Sequence, residues 1–303
     1  MIVSFIRKAA QVIDDPVLRR WLIGRAMGKF PGEPTFTAHR PPYLKGALPL
    51  AAEPPNPPTA FSALGPAAPS TTINLPLPGL ELTLNPGEEH GLFSRDFADT
   101  ETLLAVHRFA WLPLLKTQVD PAWVNAIWNA WLRHHGAPDD GWAWHPYTAA
   151  ERAINILHFA RTHGLPGKRE ETLDCLAGHA TVIADRLEYF GDHHTSNHLT
   201  NNGRGLFLIG LWLGLPTAAD LGGVILVAEA ARIFLASGML REGSSHYHIL
   251  LAKNYAEATC EAETHGRDEA PALRRIADKA TAVAAALVLP GELPLIGDIS
   301  PDY

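Results

Sequence analysis

Three segments hold most of the residues able to do acid–base chemistry or to grip an anion. Eleven of the fifteen histidines lie between His134 and His248. The first segment, GWAWHPYTAAERAIN at 141–155, sets Trp142, Trp144, His145 and Tyr147 ahead of a helix with Arg152 and Asn155. Flat aromatic faces stack on sugar rings, and a guanidinium holds a carboxylate through two parallel hydrogen bonds. The plainer alternative is a loop that plugs helix ends, with Arg152 paired to Glu188 or another acid.

The second segment, RLEYFGDHHTSNHLTNNGRGLFLIGLWLG at 186–214, sets a polar knot from His193 to Asn202 between two apolar helices. Asn197, His198, Asn201 and Asn202 fall in the first turn or so of the second helix. There the unpaired backbone N–H groups and the positive end of the helix dipole favour an anion. Capping by Ser196 or Asn197 is the competing explanation, although capping needs one such residue and not a cluster. The third segment, MLREGSSHYHILLAKNY at 239–255, carries Glu242, Ser244, Tyr247 and His248 across a turn and a helix start. Tyr247 can move a proton if its neighbours lower its pKa from about 10. His248 can supply that charge or bind substrate. Here the alternative is capping by Ser244 or Ser245, with Tyr247 at the core edge. A zinc site from His193, His194, His198, His246 and His248 also competes, but there is no HExxH motif and carboxylates are sparse.

The elements that must position these segments are helices. After Thr100 the apolar residues recur at three and four positions over 101–116, 121–135, 147–163, 169–190, 197–213, 217–237, 245–262 and 269–288. Proline and glycine punctuate the breaks. Strand-like alternation is nearly absent. Antiparallel pairs joined by short connections predict an all-α fold, an (α/α) toroid of antiparallel helix hairpins. In such a ring every second helix starts at the same end. The starts near Tyr147, Asn197 and Ser245 therefore share one face, and one open groove is expected there. A helix over 1–30 precedes a proline-rich arm over 31–95, in which fourteen of the 25 prolines lie between Pro31 and Pro86. The toroid covers 96–290. Residues 291–303 read as the entry to a further domain.

The 303 residues are 47% hydrophobic and only 19% charged, with a net charge of −7. That balance supports a sizeable core and argues against nucleic acid as the partner. No run of ~18 uncharged apolar residues can span a membrane. No clear signal peptide opens the chain, which fits a cytoplasmic or periplasmic location. Cys175 and Cys260 match no disulfide framework or zinc spacing and read as buried thiols.

Taken in order, the segments resemble the heparinase II/III family of bacterial polysaccharide lyases and its alginate-lyase relatives. WHPYTAAERAIN is similar to the family's aromatic–Pro–Tyr…Arg…Asn segment. LEYFGDHHTSNHLTNNGRGL resembles its Glu…Asn-His segment before a helix, and REGSSHYH its Glu-x-Ser-x-x-Tyr-His segment. FADTETLLAVHRFAWLPLL resembles the early toroid helix. The likeness covers roughly residues 92–300.

It implies a toroid followed by a β-sandwich, which is absent or truncated here. It also implies an anionic, uronate-containing polysaccharide such as a glycosaminoglycan or alginate, no cofactor and no metal. Asn197 and His198 would sit at the substrate carboxylate and Tyr247 would carry the proton. Arg152, His248, Trp142, Trp144, His145, Tyr147 and Glu242 would bind substrate. The enzyme reading is β-elimination. The alternative is a non-catalytic module that binds an acidic glycan or capsule polysaccharide, because the sandwich supplies a further catalytic histidine in the family.

Overall fold

A computed structural model describes residues 19, 23–24, 26–27, 40–44, 50–191, 197–288 and 294–298. Most of the expected helix over 1–30, His193, His194, Ser196 and most of 291–303 lie outside them. Nine α-helices follow Asp99 among the described residues: α1 (Thr100–Arg108), α2 (Trp111–Leu114), α3 (Pro121–His135), α4 (Pro146–His163), α5 (Arg169–Asp185), α6 (Asn197–Leu213), α7 (Pro216–Ile233), α8 (Ser245–Thr264) and α9 (Ala270–Leu287). Their starts follow local chemistry. Asp99 caps α1 and Asp120 caps α3, the latter with Pro121 at the first helical position. Ser244 caps α8 by accepting from the Tyr247 N–H at 3.0 Å. The expected helix 101–116 is broken, because Phe109 takes a left-handed conformation (φ 54°) and ends α1.

Helices α4, α6 and α8 form the inner layer, with α5, α7 and α9 packed outside. The side chains that cross between the inner helices fix their relative direction. Arg204 of α6 bonds Glu151 of α4 at 2.9 Å and Glu257 of α8 at 2.7 Å. Further along, Glu261 of α8 accepts from Arg161 of α4 at 2.6 Å and from Trp212 of α6 at 2.8 Å. Residue numbers rise together along all three helices, so they run parallel and start at one end. α6 is the centre of the body. Every one of its residues except His198 is buried. Its close packing needs glycine: a Cβ on Gly210 would lie 2.3 Å from the Ala219 nitrogen, and one on Gly205 2.6 Å from the Ala150 Cβ. This is an all-α toroid segment of antiparallel hairpins.

The proline-rich arm differs from its expected form. It contains a β-hairpin, β1 (Ile73–Leu77) and β2 (Leu80–Leu84), paired antiparallel from Ile73↔Leu84 to Leu77↔Leu80. Pro78 and Gly79 (φ 66°) make the turn, a place where glycine relieves the left-handed backbone. Ile73, Leu75, Leu77, Leu82 and Leu84 face the core. Two prolines inside the alternation had hidden it. Upstream, the arm crosses the far end of the inner helices, where the Asn56 N–H donates to the Leu213 carbonyl and the Leu64 N–H to that of Leu165. Cys260 is exposed, not buried as expected, because Glu257 and Glu261 of the same helix take the inward face; Cys175 is intermediate. No helix among the described residues is long and apolar enough to cross a membrane.

Candidate functional site

The site grows from the start of α6. His198 is its one residue not buried, with 42% of the side chain exposed. Its Nδ1 donates to Glu188 Oε1 at 2.5 Å, which leaves Nε2 on the opposite side of the ring. Glu188 lies in the connection after α5 and is 3% exposed. Its other oxygen accepts from Asn202 at 2.9 Å, and its backbone N–H donates to the same amide. His145 Nε2 stands 3.5 Å from Glu188 Oε1. Burial pushes the Glu188 carboxyl up, but the hydrogen bonds from His198 and Asn202 and the attraction of the His198 ring prevail and hold it below the usual carboxylate range. The result is a buried carboxylate, compensated by imidazoles and an amide, that orients one exposed histidine.

Around this pair stand further residues. The Tyr147 ring lies 4.9 Å from that of His198, and the Arg108 guanidinium lies 4.9 Å from the Tyr147 ring centre. Burial, with Glu151 adding to it, pushes the Tyr147 phenol up to about 12, so it stays protonated. Burial lowers the His145 pKa, which keeps that ring neutral. Trp142 is 45% exposed at the rim, its ring 5.5 Å from His145. Asn197 is the first residue of α6 and is mostly buried. Tyr247 and Glu242 come from the α8 start. Glu242 is close enough to feel the His198 charge, while burial and Asp298 raise its pKa. The described contacts thus join Tyr147, His145, Glu188 and His198 directly. Tyr247 shares their end of the body, but no described contact joins it to Asn197 or His198.

Three expected substrate contacts are placed elsewhere. Arg152 is fully buried. It donates to His179 Nε2 (2.9 Å) and to the carbonyls of His107 (3.1 Å) and Ala143 (2.6 Å), so no surface is left to meet a polymer. Trp144 is 1% exposed, and its indole N–H donates to the His135 carbonyl. His248 is also buried. Its Nδ1 accepts from the Leu240 N–H and its Nε2 donates to the Ala280 carbonyl, which fixes it as a neutral brace between α8 and α9. Among the described residues no group of three or more His, Cys, Asp or Glu is placed to hold a metal ion. A cavity of about 250 Å³ lies at the opposite end, between Pro58–Ser62 of the arm and Arg161, Trp212 and His265. Glu188 and Arg108 are the residues sequence reasoning left out of the site. The signal for Glu188 was its place ten residues before His198 in one polar connection.

No protein-family model and no curated protein matches the chain. Solved structures do. The heparan sulfate lyase HepC from Pedobacter heparinus is similar at 17% identity and a TM-score of 0.52, over 69% of this chain and 35% of that one. A structure of heparinase III is similar at 16% identity and a TM-score of 0.50, over 67% and 35%. The chain therefore has a heparinase-like helical fold. It spans about a third of the length of these structures.

Proposed function

We propose that the N-terminal end of the inner helices binds an anionic, uronate-containing polysaccharide and cleaves it by β-elimination. The observation that carries this reading is the Glu188–His198 pair: the central helix buries everything except the one histidine that a buried carboxylate aims outward. The reading also rests on the fold shared with the heparan sulfate lyase HepC.

The chemistry follows from the charges. Removing the proton at C5 of a uronate is hard while the adjacent carboxylate keeps its charge. Asn197, His198 and the N–H groups of the first turn of α6 offer preorganised donors to that carboxylate. Tyr247 then takes the C5 proton as tyrosinate. The electron pair forms the C4=C5 double bond, the C4–O4 bond breaks, and O4 leaves with a proton handed on by Tyr247 or donated by His198 Nε2. Tyr147 is unsuited to the base role because it is held protonated; it packs the His198 ring in place.

The test is incubation of the full protein with a panel of uronate polymers, followed by ultraviolet absorbance of the unsaturated product. New reducing ends without that chromophore would mean hydrolysis and would end the proposal. Tyr247→Phe should keep oligomer binding and lower turnover by about 10²–10⁴-fold. A second reading, binding without turnover, is favoured by the exposed Trp142 rim. It predicts tight oligomer binding with no product from any polymer.

A further inference from the structure

The buried Arg152 cluster poses a problem that the proposed site does not use. Arg152 is fully buried, and among the described residues no carboxylate pairs with it. Its Nη2 has no hydrogen-bond partner. The same holds for His107 Nδ1, both ring nitrogens of His135 and the indole nitrogen of Trp131. These groups are neighbours. The guanidinium carbon lies 3.9 Å from the Trp131 ring centre. The His107 and His135 rings are 4.9 Å apart, and His135 is 6.1 Å from Trp131. Phe93 closes the outer side, 5.6 Å from His107 and 6.1 Å from His135. His179 offers nothing more: its Nε2 accepts from Arg152 and its Nδ1 donates to the Cys175 carbonyl.

A buried charge without a counterion is strongly unfavourable, and each unmet buried donor adds to the cost. A neutral imidazole has one N–H, so the cluster offers a common partner the Arg152 Nη2, the Trp131 indole N–H and one N–H from each histidine. Water can accept hydrogen bonds, but it leaves the positive charge uncompensated. The indole faces of Trp131 and Trp144 attract the guanidinium without neutralising it.

We infer that the cluster of Arg152, His107, His135 and Trp131 forms an internal site for a small monovalent anion of the halide class. One negative charge matches the one guanidinium. The donors are all N–H groups, and the apolar ring faces exclude a larger oxyanion with its own hydration. The anion tethers α1, α3 and α4 at one point. Through the Arg152 bond to the Ala143 carbonyl, it also braces the loop that carries Trp142 and His145.

The experiment compares thermal unfolding in chloride with unfolding in gluconate, which is too bulky to enter, at equal ionic strength, and adds anomalous diffraction from crystals soaked in bromide. Saturating chloride should raise Tm by about 5 °C, and bromide should give a peak among Arg152, His107 and His135. Arg152→Met should abolish the chloride effect. Should that variant not fold, His135→Phe keeps the ring volume, removes two nitrogens, and should weaken the chloride midpoint about tenfold. Equal Tm in both salts together with an ordered water at this cluster overturns the inference. So does a chloride effect that survives unchanged in His135→Phe.

Discussion

Two histidine–glutamate pairs of equal length each place the histidine on an inner helix, and they do different things. His198 and Glu188 meet at 2.5 Å near the start of α6; His158 of α4 and Glu257 of α8 meet at 2.5 Å further down the body. Glu257 is already held by the Arg204 guanidinium through two nitrogens at 2.9 and 2.7 Å. Burial raises its pKa, but His158 and Arg204 outweigh that and bring it to about 2. His158 merely adds to a completed ion pair, with its ring edge-on to Trp212 at 4.9 Å. Among the described residues no guanidinium bonds Glu188; histidines and an amide are its partners. Removing the arginine from the acid's surroundings makes the histidine the acid's main partner. The same two residue types thus build a strut in one place and an oriented imidazole in the other.

The largest expected effect separates them at once. His198→Ala should lower elimination by about 10²–10⁴-fold, whereas His158→Ala should leave it within about twofold. Initial rates of unsaturated product measure both. Equal losses in the two variants would erase the distinction drawn here.

The acids should show the reverse order in stability. Glu257→Gln leaves Arg204 buried with only Glu151 opposite, and should cost about 3 kcal/mol of unfolding free energy by denaturant titration. Glu188→Gln keeps an acceptor for His198 and loses the charge. It should lower turnover by about tenfold or more and shift its pH profile, with a smaller change in stability. A Glu188→Gln protein with the parent's pH profile would show that the acid is only packing.

Acid should destabilise the protein before carboxylates begin to titrate. Burial lowers the pKa of His107 to about 3, and also lowers His135, His145, His179 and His248. These groups bind protons more readily in the unfolded chain. Their stabilising contribution is complete above about pH 6.5 and is lost as pH falls below it. The depressed Glu188 and Glu257 act in the same direction, starting near pH 4.5 and continuing to about pH 2 for Glu257. Tm should therefore decline steadily from pH 6.5 downward. A flat Tm between pH 7.5 and 5 would contradict the neutral, buried state of these rings.

The helical body was legible because prolines and glycines punctuate it, and because parity along the chain places alternate helix starts at one end. The cross-helix bonds of Arg204 and Glu261 agree with that parity. The hairpin in the arm was hidden by Pro76 and Pro78, which break its alternation. Arg152 and His248 show where residue type alone misleads. Both are typical anion-binding side chains, yet both are buried by neighbours distant in sequence: His179 and His107 for the first, Leu240 and Ala280 for the second. Glu188 escaped for the opposite reason. Its place ten residues before His198 was visible, but a lone acid in a polar connection does not show which side chain it will orient until the chain folds back.

The smallest effect tests whether the rim matters. Trp142 is the exposed member of the aromatic set, since Trp144 is sealed in the core and Tyr147 is half-buried against His198. It sits beside His145 on the loop that Arg152 braces through the Ala143 carbonyl. A stacked sugar ring would gain about 0.5–1.5 kcal/mol there, as aromatic contacts do at partly exposed sites. Trp142→Ala should then raise KM about two- to tenfold and leave kcat nearly unchanged, because the contact is made equally in the bound and transition states. Trp142→Phe should restore most of the loss. Trp144→Ala provides the contrast: it empties a core position and should cost about 3–5 kcal/mol of stability. If Trp142→Ala lowered kcat and left KM alone, the ring would be positioning His145 and the Glu188 pair behind it, and the rim would belong to the reacting site.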